Sequence, residues 1–211
     1  MKKLLFITTE LPYPAQSGGK VKSLKLLQSL AKRYQVTLAC PLKRDDVRHV
    51  EDFHAMSPCF DHLHEEVEVP RTPANLAISY RRGVPLNVHR TRGTDLQARI
   101  AKVASRFDIV FLDHYEVFPY LPRGFEGLTV YHAHNAYFKM WARYAGLPGN
   151  PAMRAAAWLE SIRVRRYEAR VGRAVDLVFA APNDARELIA SGVPGGKIQD
   201  TYHLGDDRQL A

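Results

Sequence analysis

Residues 4–40, LLFITTELPYPAQSGGKVKSLKLLQSLAKRYQVTLAC, decide the fold. Leu4 to Thr8 is a short apolar, partly β-branched run, and Glu10 to Gly19 packs two prolines, a serine and two glycines into a loop. That pairing reads as a strand followed by a loop. From Lys20 to Tyr34, Val21, Leu24, Leu27 and Ala31, joined by Leu26 and Leu30, recur at helical spacing, while Lys22, Lys25, Lys32 and Arg33 lie mostly elsewhere. A helix with one buried stripe is expected. Gln35 to Cys40 is again apolar and β-branched. The helix is therefore a crossover between parallel strands, and the Gly18–Gly19 loop falls at the carboxyl edge of the sheet, where open α/β sheets bind ligands.

Gly18 and Gly19 at a helix N-terminus suit close approach of backbone N–H groups to an anion, and equally suit a plain tight turn. The first strand is not followed by G-x-G-x-x-G, and no glycine lies five residues before Gly19. A dinucleotide fingerprint and a P-loop are both excluded.

Outward from this unit, strand and helix keep alternating. Asp45–Met56 reads as mixed helix and His62–Val69 as an edge strand, followed by a mobile basic segment, Pro70–Thr94, around one short helix. A helix is expected over Leu96–Phe107, a buried strand over Ile109–Leu112, a helical turn over Tyr115–Leu121 and a strand over Leu128–His132. Pro151, suited to a first helical position, opens a long helix to Ala174, followed by a strand over Leu177–Ala181 and a helix over Asp184–Ala190. The fold class is α/β, a Rossmann-like doubly wound, mainly parallel sheet of about six or seven strands.

The 211 residues suffice for one good core, and 46% hydrophobic with 25% charged residues is ordinary for a globular chain. The net charge of +8 favours anionic partners without choosing among them. Two unpatterned cysteines, Cys40 and Cys59, argue for a reducing compartment. The apolar run behind the initial MKK is too short for a signal peptide or membrane span, so the chain reads as cytoplasmic.

Asp113, His114 and Tyr115 follow one expected strand and His132, His134 and Asn135 end the next, so these polar groups meet at the same edge as the glycines. His132 and His134 share a face of an extended strand, which invites a metal reading. No neighbouring motif places a third ligand and no D-x-D pair occurs, so the working expectation is no metal and no cofactor. His132 is expected to be a bonded core histidine and His134 to meet solvent and ligand. His62 and His64, on the edge strand, are expected to be solvated.

On TTELPYPAQSGGKVKSLKLLQSLAKRYQVTL, YHAHN, ESIRVRRYEARVGRAVD and APNDARELIASG, the chain resembles the N-terminal, acceptor-binding domain of GT-B glycosyltransferases, specifically the large retaining family 4. That family commonly has a serine in place of Asn183. RRGVPLNVHRTR is similar to a subgroup associated with exopolysaccharide and exosortase loci. The resemblance implies an acceptor-binding domain over residues 1–201, a hinge beginning over 202–211, and a separate donor-binding domain carrying the paired acidic motif.

As the resemblance implies, Gly18 and Gly19 would reach the distal phosphate of a UDP- or GDP-sugar. His134 would position and polarise hydroxyls beside the reacting sugar, and His114, Tyr115 and Asn135 would line the acceptor side. Retention would proceed by same-face attack, without an Asp or Glu nucleophile. Lys20 departs from the small or apolar residue usual after the glycines; it is the acceptor-side candidate for contact with a phosphate on the acceptor, although a solvated side chain is favoured. The expected product is a polysaccharide or glycolipid, with little turnover from this chain alone.

Arg163, Arg166, Arg170 and Arg173 repeat at helical spacing, a stripe suited to an anionic membrane surface, although Glu160 and Glu168 interrupt the charge and a solvated basic face is the plainer reading. Nucleic acid is not expected, since aromatic and basic residues do not interleave. The competing function is a stand-alone binding module for a phosphorylated ligand or partner protein. A nucleotide-cofactor oxidoreductase fails for lack of the fingerprint and of an acidic residue after the second strand.

Overall fold

The computed structural model describes residues 1–201; the hinge expected over 202–211 lies outside the described residues. Seven strands, β1 (Lys3–Thr8), β2 (Gln35–Leu42), β3 (Asp61–Glu66), β4 (Ile109–Asp113), β5 (Leu128–Ala133), β6 (Leu177–Ala180) and β7 (Ile198–Asp200), pair in the order β3-β2-β1-β4-β5-β6-β7. Every pairing is parallel. The direction of winding reverses between β1 and β4, and a crevice opens there at the carboxyl edge.

The connections supply α1 (Gly18–Ala31), α2 (Arg44–Val47), α3 (Val50–Met56), α4 (Pro73–Arg81), α5 (Leu86–Arg90), α6 (Thr94–Val103), α7 (Tyr137–Gly146), α8 (Pro151–Ala174) and α9 (Pro182–Ala190). Side-chain alternation along the strands splits the core into two layers. Leu5, Ile7, Val110, Leu112 and Tyr131 pack on one face against Val164 and Val171 of α8. Leu4, Phe6, Ile109, Phe111 and Val130 pack on the other with Leu27 of α1.

Local signals explain the helix limits. The Ser17 hydroxyl accepts from Lys20 N–H at 3.3 Å, and Asn150 Oδ1 accepts from Ala152 N–H at 2.8 Å directly before Pro151. Each supplies an acceptor to an otherwise unpaired first-turn amide.

The structure departs from expectation in several places. Pro70–Thr94 holds two helices, α4 and α5, and is tied down. Glu160 accepts from Leu86 N–H at 2.6 Å and pairs with Arg163 at 2.5 Å, while Arg163 also donates to Ser79 Oγ and Val84 O and lies 3.7 Å over the Tyr80 ring. Arg163 thus leaves the expected basic stripe and becomes a brace, while Arg166, Arg170 and Arg173 stay exposed.

Lys22, expected on the polar face, is buried with Ser23, because the first turns of α1 lie over the polar strand ends, while Leu27, with Leu24, Leu26, Leu30 and Ala31, packs on the apolar layer. His62 and His64 form a half-buried stack with His54, with ring centroids 4.0 Å apart for His54–His62 and 5.2 Å for His54–His64. Burial and then the neighbouring imidazole pull both down to about 4. Cys40 and Cys59 are free thiols, and burial pushes Cys59 up to about 11. Besides α5, the elements not anticipated are α7 and β7. Among the described residues no helix is long and apolar enough to cross a membrane.

Candidate functional site

Parallel register creates the site. Thr8 stands beside Asp113 across β1 and β4, and Asp113 beside His132 across β4 and β5. All three are therefore neighbours in one row on the α1 face, at or next to the last positions before the strands give way to loops. His134 lies two residues beyond His132 and falls on the same face while the backbone remains extended.

Asp113, fully buried, anchors the row. Its Oδ1 accepts from His132 Nδ1 at 2.7 Å and from His134 Nε2 at 2.6 Å; its Oδ2 accepts from Ser23 Oγ at 2.5 Å and Thr8 Oγ1 at 3.2 Å. Burial alone would raise this carboxyl, but the charge of His134 and the two imidazole hydrogen bonds outweigh it and hold Asp113 well below the ordinary carboxylate range. An ionised carboxylate only accepts, so both facing ring nitrogens carry protons.

Asp113, His132 and His134 bring three ligand-type atoms within 4.8 Å of one another, supplying the third group that sequence motifs did not place. A ring nitrogen that donates its proton to a carboxylate is not free to ligate, and four donors occupy the carboxylate. The arrangement reads as a closed hydrogen-bond network.

His134 is 3% exposed, not solvent-facing as expected. The cause is His114, whose ring stacks on it at 3.8 Å and stands between it and the cavity. Burial, and then the charge of His134, hold the His114 imidazole well below its ordinary value, so it is neutral at pH 7. His114 adopts φ of 111°. That conformation costs a residue with a Cβ on the order of 1–3 kcal/mol and concentrates at functional sites.

Glu116 Oε2 lies 3.6 Å from His114 Nδ1, and neither buried atom has a hydrogen-bond partner. Burial raises the Glu116 carboxyl to about 7.

A cavity of about 360 Å³ opens over this edge. Of the residues singled out from the sequence, Gly19, Lys20 and His114 line it, and Gly18 stands exposed one residue back. Tyr115 is buried beneath it, and Asn135 opens onto a neighbouring cavity between α7 and α9. Lys20 is not solvated: its ammonium pairs with Asp46 at 2.8 Å, joining α1 to α2.

The sequence alone does not single out Glu10, Lys43, Arg71, Arg90, Glu116 and Tyr137, which also line the cavity. Their residue types carried a signal, since cations and carboxylates in loops after strands belong at this edge, but no spacing united them.

Glycine at 18 and 19 is not required by the fold. Neither has a positive φ, and a Cβ built on either meets nothing within 4 Å.

No protein-family model matches the chain, and no curated protein matches its sequence. Among solved structures, HepE of Anabaena in complex with UDP and glucose superposes with a TM-score of 0.54 at 13% identity, over 99% of this chain and 46% of that one. UGT89C1 of Arabidopsis thaliana complexed with UDP gives 0.53 at 13% identity, over 99% and 55%. The same enzyme complexed with UDP-L-rhamnose gives 0.52 at 13% identity, over 95% and 49%. The chain spans about half the length of these neighbours, and its fold is GT-B-like, a Rossmann-like half of that architecture.

Proposed function

We propose that the chain is the acceptor-binding half of a glycosyltransferase, of the retaining family 4 type, that moves a sugar from a UDP- or GDP-sugar to a glycan or lipid-linked acceptor in polysaccharide or glycolipid synthesis. The observation that carries this is the pair Gly18–Gly19. They open α1 at the mouth of a polar cavity, and neither strain nor packing explains why they lack side chains, whereas close approach of a diphosphate to the backbone does. The UDP-bound neighbours of the same fold agree with it.

In this reading the first-turn amides of α1 face the donor's distal phosphate, where charge develops as the diphosphate leaves. His134 is the catalytic imidazole, oriented through Nε2 by Asp113 and meeting the cavity through His114. Lys20, His114, Tyr115 and Asn135 remain the proposed acceptor-side residues. Turnover requires a donor-binding domain in addition to this one, and no metal or cofactor is invoked. Arg166, Arg170 and Arg173 are proposed to hold the protein at the inner face of an anionic membrane.

The direct test is transfer of labelled sugar from UDP- and GDP-sugars to a membrane or glycan extract by the product of the whole source gene. Transfer supports the reading; a protein that binds neither nucleotide sugar nor acceptor under those conditions supports the binding-module alternative.

Two variants sharpen it. Gly19→Ala is expected to leave the unfolding free energy unchanged or raised by up to about 1 kcal/mol, since alanine is the better helix former, while raising the donor KM about tenfold. Unchanged donor kinetics would remove Gly19 from the phosphate site.

Glu116→Gln tests the buried carboxyl. Its folded value of about 7 lies above the ordinary 4.5, so stability is full below about 4.5 and is lost as pH rises through about 7. The glutamine variant should therefore match wild type at pH 5 and melt higher at pH 8, by at most a few kcal/mol in stability, since one pKa unit corresponds to about 1.4 kcal/mol. An equal Tm difference at both pH values would refute the buried, raised carboxyl.

A further inference from the structure

We infer that the cavity is built to hold a phosphoryl group carried by the acceptor, bound by Arg71 and Arg90 with Lys43 beside them; this deepens the acceptor-site reading and rests on it. Both arginines line the same cavity as Gly19, one before α4 and one at the end of α5.

Their charges are uncompensated. Arg90 donates from Nε to Val69 O at 2.7 Å, and Arg71 donates from Nη2 to Asn87 Oδ1 at 3.4 Å; both acceptors are neutral. Neither arginine is in an ion pair among the described residues, although carboxylates share the cavity. Glu10 is taken by Lys43. Glu116 is buried against His114 and is half neutral near pH 7. Arg90 is lowered first by burial and then by the Arg71 charge, so the two guanidiniums repel one another across the space they share.

Two adjacent guanidiniums without a carboxylate call for a ligand of about two negative charges presenting several oxygens to planar N–H forks, which a phosphate monoester or diphosphate does. The segment that carries Arg90 is held by Glu160 and Arg163, and by Tyr120, whose hydroxyl accepts from Gly93 N–H and donates to Thr91 O, each at 2.7 Å. Arg90 is therefore pre-set before a ligand arrives, and the exposed Arg71 completes the site.

The test is titration calorimetry of the purified chain with inorganic pyrophosphate, glucose 1-phosphate and farnesyl phosphate at constant ionic strength. The variants are Arg71→Gln, Arg71→Gln with Arg90→Gln, and, as a charge-matched control, Arg33→Gln with Arg123→Gln, both exposed and outside the cavity wall. Binding in the millimolar range or tighter is expected for wild type and control, weakened about tenfold by Arg71→Gln and more by the double variant.

Arg71 is exposed and makes one long hydrogen bond, so its variant keeps the test valid if the double variant does not fold. Preference for farnesyl phosphate identifies a lipid-borne phosphate, and equal binding of glucose 1-phosphate identifies a glycan-borne one; each supports the inference. Equal weakening in control and cavity variants would overturn it, as would no binding to wild type. It would also be overturned if UDP displaced pyrophosphate and Gly19→Ala, rather than the arginines, governed affinity, because the anion would then be the donor's diphosphate. Anion binding through the arginines by a protein whose whole-gene product transfers no sugar would sink the transferase reading and leave the anion site standing.

Discussion

Asp113→Ala is expected to lower the free energy of unfolding by about 3–5 kcal/mol, the range found when one partner of a buried charged network is removed. Four donors converge on this carboxylate from β1, α1, β5 and the segment just after β5. Deleting it leaves two ring N–H groups and two hydroxyls without their acceptor in a place water does not reach. Against a typical total of about 5–15 kcal/mol, that removes a large share of the margin.

Asp113→Asn should cost less, because the Thr8 and Ser23 hydroxyls can rotate to accept from the new amide while its oxygen still faces the histidines. Urea unfolding checks both: the midpoint should fall in the order wild type, Asn, Ala, with the slope unchanged. The pH dependence has the opposite sign from that of Glu116. The depressed Asp113 carboxyl contributes stability that is complete above its unfolded value and is lost as pH falls through its folded one, so wild type should steepen in acid and the alanine variant should not. An alanine variant within 1 kcal/mol of wild type would show that the row is not held by charge.

His134→Ala, made in a protein that carries the donor-binding domain, is expected to reduce transfer by about 10²–10³-fold, the usual consequence of removing one pre-organised donor from a reacting centre. The stability cost should be smaller, about 1.5–3 kcal/mol for one hydrogen bond to a charged group. The fold should survive, and kcat should fall more than either KM changes. His134→Gln separates the two effects, since its amide can still donate toward Asp113: stability should return and transfer should not. Wild-type transfer by the alanine variant would remove His134 from the chemistry. If His114→Ala abolishes transfer while His134→Ala does not, the stacked pair exchanges roles and His134 becomes the support of the ring that faces the cavity.

The parts of the molecule legible in the sequence were those fixed by local rules. α8 begins and ends at the anticipated Pro151 and Ala174, because an asparagine cap and a first-turn proline mark one end and the apolar stripe runs to the other. β1, β2, β4, β5 and β6 announced themselves as β-branched runs. What local rules cannot supply is register. That Thr8, Asp113 and His132 stand in one row follows only from how three strands align, so Asp113 went unassigned although it was noticed beside His114. Lys22 was misplaced for a related reason: helical spacing tells which residues share a face, but not that the first turns of that face overhang a polar edge. Arg71, Arg90 and Lys43 do not read as a group in the sequence, because Lys43 follows β2 while the two arginines stand far apart in the long connection after β3, and the three meet only when the sheet forms.

At His114, a backbone at φ of 111° suits glycine, whereas the ring packed on His134 at the mouth of the cavity suits histidine alone. Selecting a library of all residues at position 114 for thermal survival should enrich glycine, and selecting the same library for sugar transfer should return histidine. Where two selections on one codon pull toward different amino acids, the chain is recording an assignment that folding alone would never have made.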